Sequence, residues 1–197
     1  MSTSTRRKRA YHHGDLRAAL VRSASELLEK HGVAGLSLRE TAGRAGVSHG
    51  APYRHFSDRG ALLAAVAAEG FARLGEALAE GARSGSREMG EAYVRFALAH
   101  PQRFRLMFGG QLRFERHPEL RAASSRAYEG LIASFRAHPA IADPALAASA
   151  AWSLVHGLAN LLLDGHFEGA KGPGGAGAFV HDVLGAIRFA GAVQRAA

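Results

Sequence analysis

From Leu16 onward, apolar residues return every three or four positions: Leu16, Leu20, Val21, Ala24, Leu27 and Leu28 line one side of a helix. His31-Gly32 reads as its stop, with Gly32 in the left-handed position that ends helices. Ser37-Leu38-Arg39-Glu40 fits a capping box, in which the Ser37 hydroxyl takes an orphan N–H and Glu40 reaches back to the cap, so a short second helix starts there. Ala45-Gly46-Val47-Ser48 follows at once: Gly46 permits a sharp turn, Val47 anchors it, and Ser48 caps a third helix. Ser57 caps a long fourth helix carrying Leu62, Leu63, Val66, Phe71, Leu74 and Leu78. Two short helices joined by a tight turn, between two longer amphipathic ones, form the pattern of a helix-turn-helix module.

Beyond the Gly/Ser/Arg-rich stretch 81–90, the pattern predicts helices over about 86–99, 101–108, 118–137 and 144–164. Pro101, Pro118, Pro139 and Pro144 punctuate them where a missing N–H costs least. Segment 169–177, with five glycines and Pro173, reads as a mobile surface loop, and a last helix covers about 178–195. No strand pattern of useful length and no internal repeat is visible. The chain therefore reads as all-α, with about nine helices.

Composition narrows the classes. Of 197 residues, 47% are hydrophobic and 21% charged, which fits a globular chain with one or two cores and argues against general disorder. Without cysteine there is no disulfide framework, thiolate nucleophile or Cys-based metal site, in keeping with a reducing cytoplasm. No apolar run is expected to reach the roughly 18 residues of a membrane span. The basic start Arg6-Arg7-Lys8-Arg9 leads into Tyr11-His12-His13-Gly14-Asp15 instead of a signal-peptide core. The net charge of +8 is uneven: residues 1–60 hold 11 Lys+Arg against 5 Asp+Glu, so +6 of it falls there. A cationic first third on a nearly neutral remainder suits a polyanionic partner at the front of the chain.

The run Gly46-Val47-Ser48-His49-Gly50-Ala51-Pro52-Tyr53-Arg54-His55-Phe56-Ser57-Asp58-Arg59, followed by Leu62-Leu63, resembles the signature of tetracycline-repressor-type (TetR family) transcriptional regulators. The likeness covers about 60 N-terminal residues. Further on, Tyr93-Val94-Arg95-Phe96-Ala97 with His100-Pro101, Arg105-Leu106-Met107-Phe108-Gly109, and Trp152-Ser153-Leu154-Val155-His156-Gly157 resemble the C-terminal domain named in that family for its Trp-His-Gly sequence. The resemblance implies three parts: a flexible basic arm over 1–10, a three-helix DNA-binding domain over 11–75, and a helical bundle for ligand binding and dimerisation over 76–197.

A B-DNA major groove about 12 Å wide admits one helix, whose first residues reach base edges while flanking cations and N–H groups hold phosphates. The expected partner is thus double-stranded operator DNA. His49, Gly50 and Ala51 on the third helix and Arg39 on the second are the expected base readers, Arg39 by its bidentate fork on guanine. The resemblance adds Tyr53 at the groove edge and assigns Ser37, Ser48, Arg54, His55 and Arg59 to phosphates. Arg6 to Arg9 would enter the adjacent minor groove or raise non-specific affinity. Three positions depart from the family's pattern: Thr41 stands where a branched aliphatic residue is usual, Gly60 weakens the fourth helix's first turn, and Pro52 removes an N–H near the start of the reading helix.

In the second half, Trp152, His156, Asn160 and Asp164 follow a four-residue step, while Leu154, Leu158, Leu161 and Leu162 cluster on the opposite side. A helix with two apolar sides needs two covers. Together with Val180, Val183, Leu184 and Ile187 on the last helix, it implies a two-fold four-helix interface between two copies, a homodimer. Two reading heads about 34–36 Å apart then match a palindromic operator. Tyr93, Phe96, Phe104, Met107, Phe108, Tyr128, Trp152, His156 and Asn160 are the candidate lining of a pocket for an apolar small-molecule effector that shifts the head separation and releases DNA.

No cofactor and no membrane partner is expected. The competing classes are a metal-responsive regulator and a helical metal-dependent enzyme, drawing on His156, His166, His181, Asp164 and Glu168. The chain has no His-Glu-x-x-His, no phosphate-binding glycine loop and no Gly-x-Ser-x-Gly, so the expected answer is a regulator without catalysis.

Overall fold

A computed structural model describes residues 13–167 and 174–186, the side chains of 13–15 excepted. The described residues form eight α-helices and no strand: α1 (His13–His31), α2 (Leu38–Arg44), α3 (Arg59–Ala82), α4 (Ser86–Ala99), α5 (Pro101–Phe108), α6 (Pro118–Arg136), α7 (Pro144–Leu163) and α8 (Gly175–Ala186). Two single 3-10 turns, Pro52–Arg54 and Phe114–Arg116, complete them. The chain divides into two compact units, Met1–Val66 and Ala67–Ala197.

In the first unit α1 lies on α2, and α2 lies on the Pro52–Arg54 turn. Leu20, Val21, Ala24 and Leu28 of α1 are buried with Leu36, Leu38, Ala42, Phe56 and Leu62. The Ser37 hydroxyl caps α2 by accepting the Glu40 N–H at 3.1 Å. The other half of the expected capping box differs: the Glu40 carboxylate accepts from the Ser37 hydroxyl itself at 2.8 Å. Thr41 is fully buried, and its hydroxyl donates to the Ser37 carbonyl at 2.8 Å. A polar residue at an aliphatic position is thereby satisfied inside the helix it belongs to.

The third helix expected from Ser48 is not an α-helix. From Ser48 to Phe56 the backbone closes tight turns, with Ala51 N–H bonded to Ser48 O, Arg54 to Ala51, and His55 to Pro52. Pro52 has no N–H for the Ser48 carbonyl, which takes the Ala51 N–H instead, and a single 3-10 turn follows, with the Phe56 N–H returning to Pro52 O at 2.9 Å. The cap of α3 is also corrected. Asp58, not Ser57, receives the Ala61 N–H at 2.8 Å, while the Ser57 hydroxyl donates to the Asp58 carboxylate. A Cβ at position 60 would stand 3.1 Å from Asp58 Oδ1, so Gly60 leaves that cap its room.

In the second unit α7 packs against both α4 and α6, while α5 and α8 each pack against α4. The helices start where their prolines predict: Pro101, Pro118 and Pro144 are each a first residue. Asp143 caps α7 by accepting the Ala145 and Leu146 N–H groups, both at 3.0 Å. Helix α8 begins at Gly175, inside the segment read as a loop; its expected continuation over 187–195 and the loop residues 169–173 lie outside the described residues. The expectation of no membrane-length apolar run is corrected as well: α7, 20 residues without a charge, is long and apolar enough to cross a membrane. Core helices of soluble proteins pass the same test, and here Ala148, Ala151, Val155, Leu158, Ala159 and Leu162 are buried in the unit's own core.

Candidate nucleic-acid interface and sensory core

The turn that carries the candidate base readers is set by Gly46. Its φ of +70° lies in the left-handed region, which an L side chain adopts only with strain, and it ends α2. The Val47 N–H closes the motif on Ala42 O at 3.0 Å, and Val47 is half-buried under it. The chain that leaves this turn presents Ser48, His49 and Gly50 to solvent, with Ala51 half-buried. Pro52 and Phe56 are buried, which pins the turn to the core and leaves Tyr53, 62% exposed, and Arg54 projecting outward. Arg39 is exposed on α2. The described geometry thus brings Arg39, Ser48, His49, Gly50, Tyr53 and Arg54 to the surface of the first unit as unburied hydrogen-bonding and cationic groups.

The remaining predicted contacts are placed differently. Ser37 and His55 are half-buried. Within His55 the Nε2 atom is buried and has no hydrogen-bond partner among the described residues. The Arg59 guanidinium is occupied: Nε donates to Leu36 O at 2.7 Å and Nη2 to Val33 O. It ties the α1–α2 connection to the start of α3, one planar cation bonding two carbonyls of that connection. Sequence reading misses this role because the partners are backbone carbonyls more than twenty residues away, which leave no pattern. Arg44, a further cation of α2, is paired with Glu26. Arg6 to Arg9 lie outside the described residues.

In the second unit, aromatic residues of α4, α5 and α7 converge on one hydroxyl. Tyr93 Oη accepts from Trp152 Nε1 at 3.0 Å and stands 2.8 Å from His156 Nδ1. Phe104 and Phe108 pack on the His156 ring with centroids 5.3 and 4.9 Å away. Burial drives the Tyr93 phenol well above its usual range, the Trp152 donation opposing weakly, so Tyr93 stays a donor. Burial also lowers the basicity of His156, keeping it neutral. With the His156 proton on Nε2, the Tyr93 hydroxyl donates to Nδ1. Asn160 donates to the His156 carbonyl at 2.9 Å, and Tyr128 Oη meets Ser149 Oγ at 2.7 Å.

The expected pocket lining separates into two groups. Tyr93, Phe96, Phe104 and Met107 are buried. Tyr93, Phe108, Tyr128 and Trp152 border a recess of about 50 Å³. Tyr93 and Trp152 also border a cavity of about 240 Å³, whose other walls include Arg87, Met89, Leu131, Phe135 and Leu184, none of them singled out as lining from the sequence. Phe96, Phe104, Met107, His156 and Asn160 border neither. The expected interface residues separate likewise: Leu158, Leu162, Val180 and Leu184 are buried within the unit, Leu154 and Val183 are half-buried, Leu161 is 41% exposed, and Ile187 lies outside the described residues. His156, His166, His181 and Asp164 do not converge: among the described residues no three His, Asp or Glu side chains are placed to share a metal, and Glu168 lies outside them.

Comparison with known proteins matches both parts of this architecture. Residues 20–66 match the family described as bacterial regulatory proteins, tetR family. Residues 86–186 match the tetracyclin repressor-like C-terminal domain. No curated protein matches the chain. Among solved structures, a Rhodococcus sp. RHA1 protein of unknown function is 36% identical at a TM-score of 0.75, with 91% of this chain and 94% of that one covered. The TetR family transcriptional regulator PfmR from Thermus thermophilus is 24% identical at 0.54, covering 84% and 96%. A TetR family transcription regulator from Marinobacter aquaeolei VT8 is 18% identical at 0.58, covering 86% and 92%; these two likenesses are of fold alone. With a family match spanning half its length and a glycine-turned helical head that displays cations and hydrogen-bonding groups, the chain belongs to the TetR family of DNA-binding transcriptional regulators, which are not enzymes.

Proposed function

We propose that the protein is a ligand-responsive repressor that binds a palindromic operator as a homodimer in the cytoplasm. The observation that carries the dimer is the outer face of α7. Leu146, Ala150, Ser153, Leu154, Gly157 and Leu161 fall within roughly 100° of its surface. Leu146 is 67% and Leu161 41% exposed, while the opposite side is buried in the unit. Exposed leucines at both ends of a stripe of small residues suit a second α7 related by a two-fold axis. TetR-family regulators bind DNA as dimers, which supports the same reading.

On this reading Arg39, His49, Gly50, Ala51 and Tyr53 contact bases, and Ser37, Ser48, Arg54 and His55 meet phosphates. Arg59 acts mainly by holding the head together. The N-terminal arm adds sequence-independent affinity. The second unit is proposed to be of the Trp-His-Gly type, because Trp152 and His156, one turn apart on α7, both bond the Tyr93 hydroxyl. Effector binding there would favour a conformer with the wrong head separation, a coupling of about 1–3 kcal/mol.

Sedimentation velocity of the wild type and of Leu161→Glu, with operator binding measured in parallel, tests the assembly. The wild type is expected to sediment as a dimer, and the charged variant as a monomer that has lost cooperative DNA binding. A wild-type monomer at DNA-binding concentrations would overturn the reading.

A further inference from the structure

The cavity of about 240 Å³ in the second unit is walled by α3, α4, α6, α7 and α8 and is largely apolar, with Met89, Leu131, Phe135, Trp152 and Leu184 on its sides. A cavity of about 150 Å³ accepts benzene, so this one takes roughly ten non-hydrogen atoms. Its lining includes one ionised group, the Arg87 guanidinium, and no carboxylate.

Arg87 is held loosely. Among the described residues its polar partner is His181 on α8, with Nη1 3.4 Å from Nε2. The nearby carboxylate of Glu91 is engaged by His181 Nδ1 at 2.8 Å and not by Arg87. With the proton on Nδ1, His181 Nε2 is a neutral acceptor for the guanidinium. Glu88 turns away from the cavity, its carboxylate folding back over Gly85, where a Cβ would stand 2.6 Å from Oε2. A planar cation with five donors thus stands at the edge of an apolar recess with one long contact to an imidazole ring and none to a carboxylate among the described residues. That combination suits a molecule with an apolar body and one carboxylate.

We propose that the cavity takes a small apolar monocarboxylate of about ten non-hydrogen atoms, and that Arg87 is the residue that reads its charge. This rests on the reading of the protein as ligand-responsive. It adds a route for the response, since an anion that draws Arg87 inward withdraws it from His181 and from Gly185, both on α8.

Trp152, the only tryptophan of the chain, lines the cavity and reports its occupancy without DNA. The full-length protein is titrated with 4-methylbenzoate, with octanoate and with the neutral isostere 4-methylbenzamide, following Trp152 fluorescence, and the series is repeated on Arg87→Gln. Saturable changes with both acids are expected, with Kd of about 1 mM or tighter. The amide should bind at least about tenfold more weakly, and in Arg87→Gln the ratio of benzoate to benzamide affinity should fall to about 1. Equal binding of acid and amide by the wild type, an acid preference that survives Arg87→Gln, or no response to either acid at about 10 mM would each overturn the assignment. A gel shift separates this from the parent reading. Arg87-dependent acid binding without DNA release sinks the ligand response alone, whereas a neutral compound that fills the cavity and releases DNA sinks the charge assignment alone.

Discussion

Replacing Tyr93 by Phe removes one oxygen and leaves two polar groups behind. The hydroxyl accepts from Trp152 Nε1 at 3.0 Å and bonds His156 Nδ1 at 2.8 Å, and Tyr93 itself is 3% exposed. A buried donor or acceptor deprived of its partner costs about 1–3 kcal/mol. Trp152 is 36% exposed and His156 is half-buried, so water can reach both in part, and each belongs at the low end of that range. The sum is about 2 kcal/mol, which in a chain of this size lowers Tm by about 4–8 °C. Trp152 fluorescence during thermal unfolding reads the second unit directly. Tyr128→Phe is the comparison: its partner Ser149 keeps a second bond, to Ala145 O at 2.9 Å, so the loss should stay below about 1 kcal/mol. Tyr93→Phe combined with Trp152→Phe, melted by circular dichroism because that chain holds no tryptophan, should be less than additive by about 1 kcal/mol, since the second change removes the donor the first had orphaned. A Tm for Tyr93→Phe within about 1 °C of wild type, or fully additive losses, would refute the claim that one hydroxyl organises this cluster.

Three further outcomes follow from named contacts. Burial makes His156 less basic in the folded protein than its ordinary value of 6.5. The unfolded chain therefore binds more protons just below that pH, and stability, full above about pH 6.5, falls as the solution is acidified; His156→Gln should flatten that slope in pH-dependent melts. Arg59→Ala leaves the Leu36 carbonyl without this partner, while Val33 O keeps the Leu36 N–H, and should cost about 1 kcal/mol of stability, weakening binding to every DNA sequence alike, whereas Arg39→Ala should leave Tm unchanged and relax preference at one base position by about 1–3 kcal/mol. Ser25, buried with no partner for its hydroxyl among the described residues, should be replaceable by Ala with a gain of about 1 kcal/mol, seen as a raised denaturation midpoint; a loss would show that the hydroxyl is satisfied.

The parts of this molecule that are legible in the sequence are those written locally. The stop at Gly32, the Ser37 cap, the Gly46 turn and the prolines opening α5, α6 and α7 each act through neighbours within four residues, and each element begins or ends there. Pro52 is visible in the sequence as a missing donor, but its consequence, a 3-10 turn in place of a helix, depends on the Ser48 carbonyl taking the Ala51 N–H instead. Asp58 displaces Ser57 as cap because the backbone enters α3 one residue later than the hydroxyl suggests. The candidate site is legible at the head, where exposure follows from a short turn pinned by Pro52 and Phe56. It is less legible in the second unit. A stripe of apolar residues does not say which side faces its own core, so periodicity groups Leu158 and Leu162 with Leu161, although of these three only Leu161 is exposed. The cavity depends on side chains from five helices, Arg87 among them, whose position no local pattern encodes.

The most direct test of the account is a footprint of the full-length protein on the DNA flanking its own gene, at several salt concentrations. Two inverted protected half-sites are predicted, their centres about 10–10.5 base pairs apart or a multiple of that, with protection falling steeply as salt rises. Protection of a single unpaired site, or uniform coverage that ignores sequence, would contradict it.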